Sequence, residues 1–542
     1  MPIGKTNDRV GRWLLIAALA ISAASAVWYA VEFDWLSLDD VYITLRYARN
    51  WDDGLGPVYN PGEAPVEGYT NFGWMALLAG LMKLGAPGPA TAKALAELCI
   101  LGAIFFAWLL GRRLGGKDSW AGPAAAWALA LSSSFTFWGL AGAMEVAPLA
   151  LVLTAGFYLL LGREGADGKK RNRELLGAGL LFGLAGLLRP EGSLFTLLGV
   201  LYVWPGRDGR FKRLLLYLLP PVVLVGGHEV FRLAYYGDLL PNTFYAKTGL
   251  NGRLVLRGLE YLGVFALSHL PLFLLAAALP WRKLGKRLAP MLAAVGLYFI
   301  YLVLIGGDWM AWRLFVPILP ILAVTAGLGL DRLRRFDLPL RKAVLPLMVA
   351  ASAGGLFLLS TSLGEYAHIG EYRFHETLHF RTGHWLADVS DPDDTIAVSS
   401  AGIMPWLTGL NTIDMLGLND RHIARFGVDL GGRASPGHER YDNDYVLGRR
   451  PDWIILGLTS NSLLSGEEPA FLPDYDLIKR RELWRDYHAV VPPLPTRAIL
   501  HRRDDVEGLR RMDPNTWTWL WYFTHPLARV MEPPPPPPIF GQ

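Results

Sequence analysis

Cysteine is almost missing from this chain: Cys99 stands alone among 542 residues, inside an apolar run. One thiol forms no intrachain disulfide and no thiolate metal cluster, so an oxidising compartment is neither required nor excluded. Charge is scarce too, at 18% of residues against 52% hydrophobic. That is too apolar for one soluble enzyme and too polar for a pure membrane bundle. A net charge of +4 does not argue for a nucleic-acid partner. The basic residues sit in short loops between apolar runs, which is the positive-inside pattern. A small-residue cleavage site is also lacking. The first apolar run, Trp13 to Val31, follows Lys5, Arg9 and Arg12 and ends among Trp28, Tyr29 and Glu32, so it reads as an uncleaved first transmembrane helix.

What is present is a series of runs long enough to cross a bilayer, nearly all before residue 362. With the N-terminus cytoplasmic, the loop holding Asp39 and Asp40 lies outside, and Asn71 to Leu84 reads as a helix on or in the outer leaflet. Crossings follow at Ala92–Leu110, Trp120–Trp138, Ala141–Leu161, Leu175–Leu188, Ser193–Val203, Leu214–Leu233, Tyr261–Leu279, Pro290–Ile305, Leu314–Leu330 and Ala343–Leu363. This makes about eleven spans with every basic cluster on the cytoplasmic side. The expected organisation is a polytopic α-helical membrane domain over 1–363, an extracytoplasmic α/β domain over 364–530 and a Pro-rich tail over 531–542.

With this threading the unusual polar residues collect on one side. Asp39, Asp40, Glu67, Tyr69, Asn71, Glu145, Arg189, Glu191, Asn242, Tyr245, Lys247, Asp308 and Arg313 all fall outside, with Trp309 beside them. Each alone is an interfacial anchor or a helix cap. As a set at one membrane face they read as a site. Adjacent carboxylates just past a membrane boundary are costly to desolvate. On a helix they differ by roughly 100°, so they cannot both aim at one atom. One is then placed to act as a base while the other orients a partner or caps the helix from Val41 to Asn50. Arg189, Lys247 and Arg313 suit a phosphate. Carboxylates, cations and aromatics open sideways to lipid fit a lipid phosphate whose tail stays in the bilayer.

The string Asp39-Asp40-Val41-Tyr42-Ile43-Thr44-Leu45-Arg46-Tyr47-Ala48-Arg49-Asn50, then Asn60-Pro61-Gly62-Glu63 and Glu67-Gly68-Tyr69-Thr70-Asn71-Phe72, resembles the integral-membrane glycosyltransferases of the GT-C superfamily. In particular it is similar to the terminal arabinofuranosyltransferases of mycobacterial cell-wall assembly and their bacterial relatives. Further likenesses are Leu188 to Gly192, Pro241 to Lys247, Gly307 to Met310, Ile413 to Asp420, Gly437-His438-Glu439 and Tyr445-Val446-Leu447.

The resemblance implies a GT-C fold in the bacterial plasma membrane and a decaprenyl- or undecaprenyl-phosphate sugar donor. It implies a cell-envelope glycan acceptor, with arabinofuranose as the sugar by analogy only. It implies Asp39 or Asp40 as the catalytic carboxylate, taking the acceptor proton as base or serving as nucleophile if configuration is retained. On this reading Arg189, Lys247 and Arg313 hold the donor phosphate. Glu67, Tyr69, Asn71, Glu191, Asn242, Tyr245, Asp308 and Trp309 serve the sugar and acceptor. No cofactor is required, but a divalent cation on Asp39 or Asp40 is compatible with it. A flippase for lipid-linked sugars is the alternative. It would place charges at mid-span or an internal repeat, and neither is seen.

The region after residue 364 mixes helix, from Tyr372 to Val389, with strands at Thr395–Val398 and Trp453–Leu456. Trp484, Tyr487, Trp517, Trp519, Trp521 and Tyr522 suit a small packed core or, less commonly, a sugar-stacking surface. His375-Glu376-Thr377-Leu378-His379 matches H-E-x-x-H, which puts two histidines on one helix face and raises a zinc metalloprotease as a further alternative. The longer metzincin signature is absent, because His384 follows His379 at the wrong distance.

Overall fold

The computed structural model describes residues 8–502 and 519–521, apart from 163–167, 205–209, 248, 250, 280, 336–340, 435, 460–461, 464–465, 467–470 and 493–494. Apolar runs become helices in the order the sequence suggests. α1 spans Asp8–Glu32, α2 Asp39–Asp52, α3 Phe72–Met82 and α4 Gly88–Gly115. α5 spans Ala121–Leu131, α6 Ser133–Thr136, α7 Val146–Leu160, α8 Gly168–Leu188, α9 Gly192–Val203 and α10 Arg210–Tyr235. α11 (Asn242–Ala246), α12 (Gly252–Ser268), α13 (Leu270–Ala277) and α14 (Trp281–Leu304) lead to a 3₁₀ turn at Arg313–Ile318. α15 (Leu319–Arg335), α16 (Arg341–Leu363) and α17 (Glu365–Val389) complete the helical part.

Among the described residues, six helical stretches are long and apolar enough to cross a membrane, or seven if α12 and α13, bent by 79°, count as one. The chain is therefore a multi-pass membrane protein. The remaining expected crossings coincide with shorter helices (α5, α7 and α9) or, for α8, with one that opens in the polar segment Lys169–Glu174. The expected continuous span Trp120–Trp138 is broken between α5 and α6. Three successive serines are the cause, since hydroxyls compete with the helix for backbone groups. The Ser132 hydroxyl meets His269 at the α12–α13 bend, and the Ser133 hydroxyl donates to the Ser360 carbonyl on α16.

A six-stranded mixed sheet follows, in the order β2-β1-β5-β7-β6-β8. β1 is Thr395–Val398, β2 Asn411–Asp414 and β5 Trp453–Thr459; these three are parallel. β6 (Tyr487–Val491), β7 (Arg497–Arg502) and β8 (Trp519–Trp521) are antiparallel. A short ribbon, β3 (Val428–Asp429) with β4 (Arg440–Tyr441), lies apart. Side chains alternate across a strand, and both faces of this sheet are apolar. Ile396, Val398, Trp453, Ile455 and Ile499 join the core of the helical bundle, together with Trp385 and Leu386 of α17. Ala397, Ile413, Ile454, Leu456, Ala498 and Leu500 build a second core on the far side. Trp484 packs against that second core and donates its indole N–H to the Ile478 carbonyl, and Tyr487 is buried there. These two aromatics therefore serve packing. Trp517, Tyr522, the side chains of Trp519 and Trp521 and the run Pro533–Pro538 lie outside the described residues.

The first loop is clamped to the sheet region by Arg46, which is 1% exposed. Its guanidinium donates to the carbonyls of Tyr59, Pro405 and Leu410 and to the side-chain oxygen of Asn60. A buried charge survives only when its donors are satisfied. Arg46→Ala is expected to lower unfolding free energy by about 3 kcal/mol or more. Arg46→Lys is expected to rescue little, because one ammonium does not reproduce a planar fork. Denaturant unfolding in detergent measures both.

Candidate active site

Asp39 and Asp40 open α2, and they face different partners. The N-cap of α2 is Leu38, with no side-chain cap bond, so neither aspartate caps its own helix as the sequence allowed. Asp39 caps another one. Its Oδ2 accepts from the Gly402 N–H at 2.9 Å and its Oδ1 from the Ile403 N–H at 2.7 Å. These amides begin α18 (Ile403–Thr408), where exposed N–H groups and the helix dipole favour an anion. Gly402 is needed for this approach: a Cβ there would lie 1.9 Å from the Asp39 carbonyl oxygen. The Asp39 N–H in turn donates to Glu376 Oε1 at 3.1 Å, and Glu376 Oε2 lies 2.9 Å from His379 Nδ1. Asp39, Glu376 and His379 are all buried, and burial pushes the Asp39 carboxyl up to about 7.

Asp40 turns toward the membrane-side loops. Its Oδ2 accepts from Arg313 at 2.7 Å, and its side chain keeps 29% of its exposure. Arg313 forks onto both Asp308 oxygens, at 2.6 and 2.8 Å. Lys247, Glu439 and His438 carry charge or dipole into the same space, since Lys247 feels Arg313, Asp308, Asp40 and Glu439, and His438 feels Asp40 and Lys247. The Lys247 ammonium makes no hydrogen bond or ion pair among the described residues. The residue as a whole is exposed, yet the protein around its ammonium and then Arg313 pull its pKa below the ordinary value. Trp309 stands over this corner, edge-on to Tyr372 and to His438. A cavity of about 430 Å³ runs from Asp308 and Arg257 past Tyr261 and Trp312 to His368.

The other expected site residues divide. Arg189 is held between Glu145, at 2.7 Å, and Glu191. Asn71 joins them by donating to Glu145 at 3.1 Å. Glu67 is buried against Arg232 and His228. The Tyr69 hydroxyl meets that of Tyr236, and Asn242 donates to the carbonyls of Gly417, Leu418 and Asp420. Tyr245 lies under the Arg425 guanidinium. The contacts of Glu67, Tyr69, Asn242 and Tyr245 thus tie elements together beside the Asp40 cluster. The histidine pair of H-E-x-x-H does not converge on one point: His375 Nδ1 faces Arg497, while His379 sits with Asp39 and Glu376. His438 and Glu376 reach the site although no sequence signal places them beside Asp39 or Asp40. Glu376 entered only through the zinc motif, and His438 only through a likeness of its tripeptide.

The fold that holds these residues is seen elsewhere. ArnT from Cupriavidus metallidurans matches with a TM-score of 0.58 at 16% identity, over 89% of this chain and 97% of that one. The same protein bound to undecaprenyl phosphate matches at 0.55, with 90% and 98% covered. The oligosaccharyltransferase AglB from Archaeoglobus fulgidus, in complex with an inhibitory peptide and a dolichol-phosphate, matches at 0.53 and 13% identity over 92% and 74%. This chain has the GT-C fold.

In sequence it is similar to two proteins named terminal β-(1→2)-arabinofuranosyltransferase. The one from Corynebacterium glutamicum is 29% identical over 339 residues, 55% of this chain and 48% of that protein. The one from Mycobacterium tuberculosis is 30% identical over 255 residues, 44% and 38%. The chain thus spans about half the length or less of the curated relatives it matches. Residues 367–507 match a family described as a domain of unknown function, DUF8728. That segment supplies Glu376, His379 and Gly402 to the GT-C loop that carries Asp39.

Two substitutions probe the joint. Asp39→Ala removes the cap and is expected to cost about 1–2 kcal/mol. Gly402→Ala forces a Cβ into backbone and is expected to cost about 1–3 kcal/mol. Thermal unfolding of the purified protein, compared with wild type, measures both.

Proposed function

We propose that this chain transfers a sugar from a polyprenyl-phosphate donor to a cell-envelope glycan at the outer face of the bacterial plasma membrane. One observation carries the reading: an accessible carboxylate, Asp40, held by Arg313 beside the uncommitted Lys247, where the chain leaves a membrane helix. The names of the sequence relatives and the undecaprenyl and dolichol phosphates in the structures of the same fold support it. Arabinofuranose is the sugar those relatives suggest.

The chemistry follows from the geometry. The acceptor hydroxyl oxygen bonds to the anomeric carbon as the bond from that carbon to the phosphate oxygen breaks. Asp40 takes the hydroxyl proton. The leaving polyprenyl phosphate gains negative charge, and Lys247 with Arg313 stabilises it. Asp308 holds the Arg313 fork in place. Arg189 is already shared between Glu145 and Glu191, so it acts by fixing the site's wall rather than by meeting phosphate. Asp39 positions the start of α2 and touches no substrate. The prenyl tail stays in lipid, where each buried methylene contributes about 0.8 kcal/mol.

Incubation of the purified protein with polyprenyl-phosphate sugars, decaprenyl-phosphate arabinofuranose first, and arabinan acceptors tests the reading. Asp40→Asn is expected to fold and to lose turnover by about 10²–10⁴-fold. Lys247→Ala is expected to raise the KM for donor. Wild-type turnover in Asp40→Asn would overturn the assignment. The sidedness has its own test in a Cys99→Ala background. An impermeant maleimide is expected to label Glu63→Cys and Arg449→Cys from outside the cell and to leave Lys117→Cys untouched; the reverse pattern would refute the outward-facing site.

A further inference from the structure

We propose that Asp39, Glu376 and His379 hold one divalent transition-metal ion, zinc or manganese, that ties the DUF8728 segment to the first loop. This inference stands apart from the transferase reading, because it concerns what these three side chains bind and not what Asp40 does.

The three residues converge from opposite ends of the chain. Asp39 and Glu376 are separated by 337 positions, yet one donor atom from each of the three lies within 4.8 Å of the others. An ion about 2.1 Å from each ligand needs donor atoms roughly 3–4 Å apart, which small side-chain rotations reach. The residues are 7%, 2% and 5% exposed. Two carboxylates brought together out of water repel each other, and a bound cation relieves that repulsion as protonation of one of them does. Arg497 is in electrostatic range of both acids and donates to the Gly457 carbonyl and to His375.

The ligand set is also oriented as metal ligands usually are. Backbone N–H groups of Gly402 and Ile403 fix the Asp39 carboxylate, and the Asp39 N–H fixes Glu376. Such outer contacts aim ligands at an ion. His379 Nε2 is buried with no partner among the described residues. A buried, unpartnered Nε2 on a histidine whose Nδ1 already meets Glu376 is the feature that the hydrogen bonds leave unexplained. One imidazole and two carboxylates suit zinc or manganese better than calcium, which takes six or more oxygens. His375 has no place in this set, so the zinc pattern in the sequence contributes only its second histidine and its glutamate.

Full-length protein in detergent, stripped with a chelator, loaded with zinc or manganese and desalted, is assayed for bound metal by mass spectrometry. Wild type and His375→Ala are expected to keep about one equivalent of one of the two metals. Glu376→Gln and His379→Ala are expected to keep less than about a tenth of that. Loading is expected to raise the thermal midpoint of wild type and of His375→Ala but not of the other two. Metal-free wild type after loading, or full occupancy in His379→Ala, overturns the proposal. If His379→Ala does not fold, Glu376→Gln decides on the same criterion. A metal-loaded protein without transfer refutes the transferase reading and leaves this one standing; an active protein that takes up no metal does the reverse.

Discussion

The bond between the Asp39 carboxylate and the first amides of α18 is the constraint on which the site depends. It joins a residue at the mouth of the membrane bundle to a helix of the sheet region, where aligned N–H groups already favour negative charge. Once Asp39 is fixed, the next residue on α2 is fixed as well. About 100° further round the helix, Asp40 is carried away from the sheet and onto Arg313. On the proposed reading, the acid that takes the proton owes its direction to the bonds of its neighbour.

Charge pairing then decides which groups are left to meet a ligand. Arg313 is shared between Asp40 and Asp308, and Arg189 between Glu145 and Glu191. Such buried pairs survive because each charge has a partner, and removing one partner strands the other. Lys247 is the described cation in this corner that no carboxylate holds. Its flexible stem and point charge suit a phosphate that arrives, reacts and departs. Rigid pairs build the walls, and a loose lysine waits between them.

Much of this was legible in the sequence. Long apolar runs indicated the helices, short continuous apolar runs indicated β1 and β5, and helical spacing alone indicated that Asp39 and Asp40 would point apart. The gathering of Asp40, Arg313, Asp308 and Lys247 could be expected from their common sidedness. What could not be read were contacts set by long-range packing. Asp39 meets Ile403 across 364 positions, and no local pattern announces that. The serine break after α5 was hidden because an apolar run hides where hydroxyls will find partners in neighbouring helices. Nor could the partners of Glu67, Tyr69 and Asn242 be read, because polar residues at a membrane rim resemble one another until their partners are known. His438 was passed over because a lone histidine in a loop carries no signal of its own.

Among the described residues the sheet has no hydrophilic face. Ile396, Val398, Trp453 and Ile455 press on the bundle, while their alternating neighbours build a second core behind. A recombinant fragment cut at the end of the last membrane helix would bare that inner surface to solvent, and an apolar surface of that kind drives self-association. The DUF8728 region is therefore better understood as part of one folded unit with the helical bundle than as a soluble module on a stalk. Biochemistry on it calls for the membrane half, a detergent and the intact polypeptide.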